Sequence, residues 1–326
     1  MAVAVSEEGG LGSFPCAMFD AEGVLENITQ IQAVTSKPLN VNFFCHEPKS
    51  TSREEQDIWR GALGKYYQEY GIEPDPNASA PQRAPFNSDM CAVIEERKPQ
   101  VVSFHFGLPD DELVGRVKAT GARVLSSATS VEEAIWLEQK GCDAIIAQGY
   151  EAGGHRGIFL SDDISTQSGL FSLLPQVVDA VKVPVIATGG IADGRGIAAA
   201  FALGASAAQI GTAFLFTPEA IISSIHRKAL SEGKDNGTAL TNVFTGRPAR
   251  GLLNRVIEEV GPISKAAPVF PTAGGALALL KAKAEESDKG DFSSLWSGQS
   301  ASLCREMGSA ELLNLLWQEA QSVLKT

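Results

Sequence analysis

The residues best suited to chemistry lie in the segment AIIAQGYEAGGHRG, residues 144–157. An apolar run of strand length ends there at Gln148, a glycine pair follows at Gly153 and Gly154, and the next residue is His155. Glycines let a ligand approach the backbone, and an imidazole titrates near neutral pH. Because parallel strands present catalytic groups at their carboxyl ends, this pattern predicts a catalytic loop with His155 as its active residue.

Two later segments repeat the pattern of an apolar strand that ends in glycine. VPVIATGG ends at Gly189 and Gly190, and AAQIGTAFL has Gly211 and Thr212 near its end. In α/β barrels the loops after the last two strands often bind a phosphate, since backbone N–H groups there favour an anion. The two segments therefore indicate a phosphate site. The alternative for either one is that its glycines only make tight turns between strand and helix.

The other histidines give weaker signals. His105 lies in the segment SFHFG near the end of a predicted strand, and it fits a supporting role at the active site as well as core packing. We expect His46 and His226 at the surface. Cys45, His46 and Glu47 are consecutive, so their side chains point apart on a strand, and no HxxxH pair or paired cysteines complete a metal site. A GxSxG nucleophile motif is absent too, so neither a metal nor a serine nucleophile is predicted.

The elements that would position these residues alternate between strand and helix. A helix between the last two strands begins near Asp193 and is followed by Gly204, as helix caps require. A closed (β/α)8 barrel has eight strands. The sequence predicts an α/β fold of the TIM (β/α)8 type that lacks its first strand, with a gap between its first and last strands. The seven predicted strands begin near Leu11, Pro38, Gln100, Ala122, Asp143, Val183 and Ala207.

Two regions depart from this alternation. Residues 46–85 are polar, with a helix predicted at 53–70 and the loop EPDPNASAPQRAP after it, and we expect an insertion over the barrel rim. After Pro218 the pattern changes to helices and loops. The expected organisation is a barrel over residues 1–216 and a helical segment over 217–326 that packs on it as a lid. Helices of this segment are predicted at 219–232, 251–260, 274–286 and 309–324.

Composition narrows the classes of protein. The 326 residues carry a net charge of −12 without a basic cluster, so no nucleic-acid partner is expected. The five cysteines are odd in number and include no CxxC pair, which fits reduced thiols. No apolar run reaches the roughly 18 residues of a membrane helix. Glu7 and Glu8 lie where a signal peptide would be apolar, so we expect a cytoplasmic protein without a membrane partner.

Five segments together resemble one known family: QGYEAGGHRG, PVIATGGIADGRGIAAAFALGA, QIGTAFL, TGRPARGLLNR and SLWSGQ. They are similar to the FMN-dependent nitronate monooxygenases, formerly called 2-nitropropane dioxygenases, and the resemblance covers the chain from Ala2 to its carboxyl terminus. It implies a TIM barrel that holds FMN non-covalently, with His155 as the active-site imidazole. The positions it implies at the flavin are Asn42, Gln148, Gly153, Gly190, Gln209, Ile210, Gly211 and Thr212.

The resemblance also implies a reaction. Family members use dioxygen to convert alkyl nitronates, such as propionate 3-nitronate, to a carbonyl compound and a nitrogen oxyanion, and they need no nicotinamide. His155 would hydrogen-bond the nitro oxygens, or act as a base toward a neutral nitroalkane. Family members begin with a strand resembling PIIQAPM, and this chain is expected to start after it. The flavin site is then expected to be open on that side.

Two other functions stay open. One is a flavin-dependent enoyl-acyl-carrier-protein reductase, which has a similar glycine–glycine–histidine loop. The other is a flavin-barrel remnant without activity, which the expected gap in the barrel favours. The oligomeric state is not predicted.

Overall fold

The computed structural model describes residues 1–75 and 83–325. In chain order, its ten strands are β1 (Gly12–Pro15), β2 (Leu39–Phe44), β3 (Val101–His105), β4 (Arg123–Ala128), β5 (Ala144–Gln148), β6 (Gly154–His155), β7 (Val185–Thr188), β8 (Ala207–Gln209), β9 (Thr238–Thr241) and β10 (Ala249–Leu252). The first seven helices are α1 (Ala2–Glu7), α2 (Ala21–Val34), α3 (Arg53–Ala62), α4 (Gly64–Tyr70), α5 (Ser88–Arg97), α6 (Asp111–Ala119) and α7 (Val131–Gln139). The others are α8 (Leu170–Ala180), α9 (Gly194–Ala202), α10 (Thr212–Leu215), α11 (Ser224–Ser231), α12 (Arg255–Val260), α13 (Gly274–Glu285) and α14 (Ser309–Leu324).

Seven parallel strands form one sheet in the order β1-β2-β3-β4-β5-β7-β8. All five residues of β5 are buried, as expected for a strand that is covered on both faces. Side chains alternate between the two faces of each strand, and several of those that face the cavity near the carboxyl ends are polar. They line one cavity and include Asn42, Ser103, Ser127, Gln148 and Thr188.

The sheet is open between β1 and β8. Within the described residues, β1 pairs only with β2 and β8 only with β7, so each strand has one unpaired edge. Helix α1 packs on β1 and on α14. The prediction of a (β/α)8-type fold with seven strands and a gap between the strands near Leu11 and Ala207 is confirmed.

Helix caps expected from the sequence are present in the structure. The Asp193 side chain accepts hydrogen bonds from the N–H groups of Arg195 and Gly196 at the start of α9. Gly204 follows this helix with a φ of +95°, a conformation that glycine adopts without steric cost. These local signals fix the length of α9 and therefore the direction in which β8 begins.

The prediction of only helices and loops after Pro218 is wrong. Strands β9 and β10 pair in antiparallel fashion, and Ala249 of β10 pairs in turn with His155 of β6. The helix predicted at 251–260 begins only at Arg255, and the one predicted at 219–232 begins at Ser224. The four residues ARGL are too short to show a strand period, and one of the two strands they pair with, β6, lies about a hundred residues earlier in the chain.

A second hydrophobic core lies outside the sheet. Trp59 and Tyr66, from α3 and α4, are fully buried against Val256, Leu280 and Phe292. Residues 53–70, predicted as one helix, form two, and they pack on the C-terminal segment. Residues 76–82 of the predicted loop lie outside the described residues. The division into a barrel at 1–216 and a segment at 217–326 stays a prediction. A bilayer-spanning helix, which must be both long and apolar, is not found in the described part of the chain.

Candidate active site

A cavity of about 770 Å³ opens at the carboxyl ends of the parallel strands and extends along the gap between β1 and β8. All nine residues predicted for the site contribute to its wall. They are Asn42, Gln148, Gly153, His155, Gly190, Gln209, Ile210, Gly211 and Thr212. The structure thus brings together residues that lie up to 170 positions apart in the chain.

His155 lies in a strand and is only 8% exposed. Its Nε2 is 2.9 Å from the Thr245 hydroxyl. The imidazole centroid is 5.9 Å from that of Phe44, 5.4 Å from that of Phe270 and 5.4 Å from that of Trp296. The prediction that places His155 in a loop is corrected in one respect: His155 lies in the two-residue strand β6 within the segment that follows β5, and its ring is part of an aromatic cluster.

Burial lowers the pKa of His155 well below its usual value, and nearby cationic groups lower it further. The guanidinium groups of Arg83 and Arg247 supply this repulsion of a second positive charge. The imidazole is therefore neutral at neutral pH. In that state one ring nitrogen donates a hydrogen bond and the other accepts one.

Gln148 holds the backbone on both sides of His155. Its Nε2 donates to the carbonyl oxygen of His155 at 3.0 Å, and its Oε1 accepts from the N–H of Gly157 at 2.8 Å. Both ends of the amide are used by the loop, and this arrangement also fixes which end is oxygen. Within the protein, Gln148 shapes the catalytic loop.

His105 lines the cavity and supports the same loop. Its Nδ1 is 3.1 Å from the Ser127 hydroxyl, and its Nε2 is 3.1 Å from the carbonyl oxygen of His155. A carbonyl only accepts, so Nε2 carries the proton and Ser127 donates to Nδ1. Burial lowers the pKa of His105 to about 4, so the ring is neutral. Of the two roles considered for His105, the contacts favour support of the site.

Two asparagines of β2 point into the cavity. Asn42 Nδ2 donates to the hydroxyl and the carbonyl oxygen of Ser103, at 2.9 and 3.3 Å. Asn40 donates to the Ser13 hydroxyl at 3.0 Å, and its Oδ1 is buried without a hydrogen-bond partner in the described part of the chain. A buried unpaired acceptor costs free energy, so Asn40 marks a place where a ligand donor would be favourable.

The C-terminal segment closes one side of the cavity, and none of its residues was predicted for the site. The N–H of Gly298 donates to Thr212 Oγ1 at 2.9 Å, and Ser300 Oγ donates to the carbonyl oxygen of Gly190 at 2.8 Å. A side chain at Gly153 would lie 2.5 Å from the Gly298 nitrogen, so this approach requires glycine. The motif SLWSGQ, which contains Gly298, is the sequence feature that pointed to this part of the C-terminal segment.

Backbone donors after β7 and β8 are free to bind a ligand. The N–H groups of Gly190, Gly211 and Thr212 donate to no atom among residues 1–75 and 83–325. A side chain built at Gly211 would meet nothing within 4 Å, so the backbone there borders open space. Unused N–H groups beside a cavity suit an anion such as a phosphate.

Two of the four histidines lie elsewhere than predicted. His46 and His226 are 6% and 8% exposed, so their assignment to the surface is wrong. His226 Nε2 is 3.0 Å from the carbonyl oxygen of Trp296, and the His46 ring packs against Phe270 with centroids 4.7 Å apart. Both partners come from the C-terminal segment, which sequence spacing does not place. No group of metal-ligating side chains is found in the described residues.

Comparison with known proteins agrees with this architecture. A family model described as nitronate monooxygenase matches residues 1–319. A nitronate monooxygenase from Paraburkholderia phytofirmans is 39% identical over 328 residues, which cover 100% of this chain and 89% of that protein. One from Pseudomonas aeruginosa is 40% identical over 322 residues, which cover 98% of this chain and 92% of that protein.

Solved structures point the same way. Nitroalkane oxidase from Streptomyces ansochromogenes superposes with a TM-score of 0.89 at 38% identity, covering 99% of this chain and 92% of that one. FabK from Thermotoga maritima superposes with a TM-score of 0.71 at 26% identity, covering 99% of this chain and 89% of that one. The family match, the relatives and the barrel with its cavity agree, and the chain belongs to the nitronate monooxygenase family, a family of oxidoreductases.

Proposed function

We propose that this protein binds FMN in the cavity and uses dioxygen to denitrify alkyl nitronates of the propionate 3-nitronate type. The observation that carries the proposal is one cavity whose wall contains both unused backbone donors and a buried neutral imidazole. Membership of the nitronate monooxygenase family supports the reaction class. The partners are then small molecules, a nitronate and dioxygen.

The residues present fit FMN. The free N–H groups of Gly190, Gly211 and Thr212 would hold its phosphate, because they supply hydrogen-bond donors without a side chain in the way. Asn42 and Gln148 would lie at the isoalloxazine, and Gly153, Gln209 and Ile210 complete the wall. When bound, FMN supplies the redox chemistry, and the protein supplies binding, orientation and electrostatics.

His155 would orient the nitronate. When the Thr245 hydroxyl donates to Nε2, the proton of the neutral ring resides on Nδ1 and is available to a nitronate oxygen. A nitronate has already lost its α-proton, so no strong base is needed. Because its pKa is lowered, His155 is poorly suited to remove the α-proton of a neutral nitroalkane. The site therefore favours nitronates over nitroalkanes.

The aromatic wall would keep water away from the reacting atoms. Phe44, Phe270 and Trp296 surround the imidazole of His155 with centroid distances of 5.4 to 5.9 Å. Exclusion of water strengthens the hydrogen bond between the imidazole and an anionic substrate.

One experiment separates the three candidate functions. The purified protein is supplied with FMN, its visible absorption spectrum is recorded, and it is mixed with propionate 3-nitronate without oxygen. We expect FMN to bind and its absorption to fade within one turnover, and admission of oxygen to restore it with formation of a nitrogen oxyanion.

The other outcomes overturn the proposal. Rapid fading with NADH or NADPH, and none with the nitronate, would favour the enoyl-reductase alternative, which rests on the glycine–glycine–histidine loop. A protein that stays colourless after FMN is added would favour the inactive remnant, which rests on the open edges of β1 and β8.

A further inference from the structure

Two buried charged side chains flank the loop that carries His155. Arg156 is fully buried and Glu133 is 2% exposed. Neither forms an ion pair with an oppositely charged residue in the described parts of the chain, 1–75 and 83–325. Burial lowers the pKa of Arg156 to about 10, so its guanidinium remains protonated at neutral pH. An isolated charge in this environment is unfavourable, so other polar groups must compensate both charges.

A chain of hydrogen bonds joins the two charges. Arg156 donates through Nε and Nη2 to Gln167 Oε1, at 3.0 and 2.8 Å. Gln167 Nε2 donates to Thr129 Oγ1 at 2.9 Å, and Thr129 Oγ1 donates to Glu133 Oε2 at 2.7 Å. A guanidinium only donates and a carboxylate only accepts, so every bond in the chain has a fixed direction. Such a polarised series is cooperative in a buried site.

The two ends of this chain hold opposite sides of the catalytic loop. Arg156 also donates to the carbonyl oxygens of Gln148 and Gly149, at 2.8 and 2.5 Å. Glu133 Oε1 accepts from the N–H groups of Phe159 and Leu160, at 2.7 and 3.3 Å. His155 lies between these two attachment points. Breaking the chain at its middle would therefore loosen the loop without touching the cavity wall.

We propose that Gln167 and Thr129 are positioning residues, which link Arg156 to Glu133 and thereby hold the His155 loop in its active geometry. The inference rests on the proposed function for its catalytic readout only. Together, Arg156, Gln167, Thr129 and Glu133 form the Arg156–Glu133 bridge. Neither Gln167 nor Thr129 lines the cavity.

The test replaces Thr129 by valine, which keeps the shape and removes both bonds of the hydroxyl. The matched control is Thr166→Val, since the Thr166 hydroxyl also bonds within this region, to the carbonyl oxygen of Asp163, but at an exposed site. Amide hydrogen exchange of peptides covering residues 149–160 is measured in the FMN-loaded protein, together with kcat and KM for propionate 3-nitronate.

For Thr129→Val we expect exchange in 149–160 to become at least about tenfold faster, because the loop opens more easily. We expect kcat to fall about tenfold to a hundredfold with KM nearly unchanged, because a misplaced catalytic group costs rate more than affinity. Thr129→Ser should restore both, and Thr166→Val should change neither.

Unchanged exchange in Thr129→Val would overturn the bridge whatever the activity. Faster exchange with unchanged kcat would limit the residues to stability and overturn their positioning role. If Thr129→Val does not fold, Gln167→Leu breaks the same link from a half-buried position and is judged by the same two readouts. A wild-type protein that turns over no nitronate would overturn the proposed function, while the exchange measurement would still judge the bridge.

Discussion

The loop that carries His155 and the turn at residues 209–212 border the same cavity, but they differ in whether their backbone polar groups are hydrogen-bonded within the protein. In the loop, the carbonyl oxygen of His155 receives hydrogen bonds from both Gln148 and His105. In the turn, the N–H groups of Gly211 and Thr212 bond to nothing in the described residues. The carbonyl oxygen in the first region is already hydrogen-bonded within the protein, whereas the second region has N–H groups that suit a ligand acceptor.

The difference follows from where each region lies in the sheet. The loop follows β5, an interior strand with a partner on each side, and pairs with the C-terminal segment, so burial requires its polar groups to be paired. The turn follows β8, an edge strand beside the gap, where Gln209 is exposed. Under the proposed function, the hydrogen-bonded region would carry the chemistry and the region with free N–H groups would bind the cofactor.

The largest effect is expected from His155→Gln, which replaces the imidazole in the hydrogen-bonded loop. Glutamine can keep a hydrogen bond to Thr245 but lacks the imidazole, and turnover of propionate 3-nitronate should fall by about 10² to 10⁴. FMN affinity, measured by titration, should stay nearly constant because the phosphate end is untouched. Alanine is less suitable, because it would empty space in the aromatic cluster. Turnover within a few fold of wild type would show that His155 has no catalytic role.

A smaller effect, on binding alone, is expected from Gly211→Leu in the open region. A Cβ added at Gly211 meets no protein atom within 4 Å, so the fold should tolerate the substitution, while the leucine side chain would occupy space that FMN needs. The Kd for FMN should rise at least about tenfold, or 1.4 kcal/mol. Gly115→Leu, equally free of contacts but on α6, is the control and should bind FMN normally. Equal Kd values for the two variants would show that the FMN phosphate does not bind at this turn.

Stability, unlike turnover and FMN binding, should depend on pH through the buried histidines. Burial lowers the pKa of His46 and of His105 to about 4, so both stay neutral in the folded protein when unfolded chains gain protons. The free energy of unfolding should fall as the pH decreases from about 6.5 towards 4, by about 1.4 kcal/mol per pH unit for each histidine. Urea unfolding between pH 7 and pH 5, at roughly unit steps, measures the slope. His46→Gln should flatten it, and an unchanged slope would contradict the assignment.

Much of the framework was predictable from the sequence because it depends on local signals. Apolar runs that end in glycine located β5, β7 and β8, and Asp193 and Gly204 bounded the helix between the last two of them. Seven strands and a gap followed from counting. His155 and the glycines were singled out by residue type and spacing, and all nine predicted site residues line one cavity, while their roles stay a prediction.

What depends on distant partners was not predictable. The pairing of His155 with Ala249, the burial of His46 and His226, and the two strands after Pro218 all involve the C-terminal segment. The Arg156–Glu133 bridge joins residues from three separate stretches of chain. Sequence by itself determined the parallel strands, the glycines at their ends and the position of His155 after one of them, because these are set within a few residues. Only the tertiary structure decided which polar groups are paired and which stay free, because burial and hydrogen bonding are properties of the packed chain.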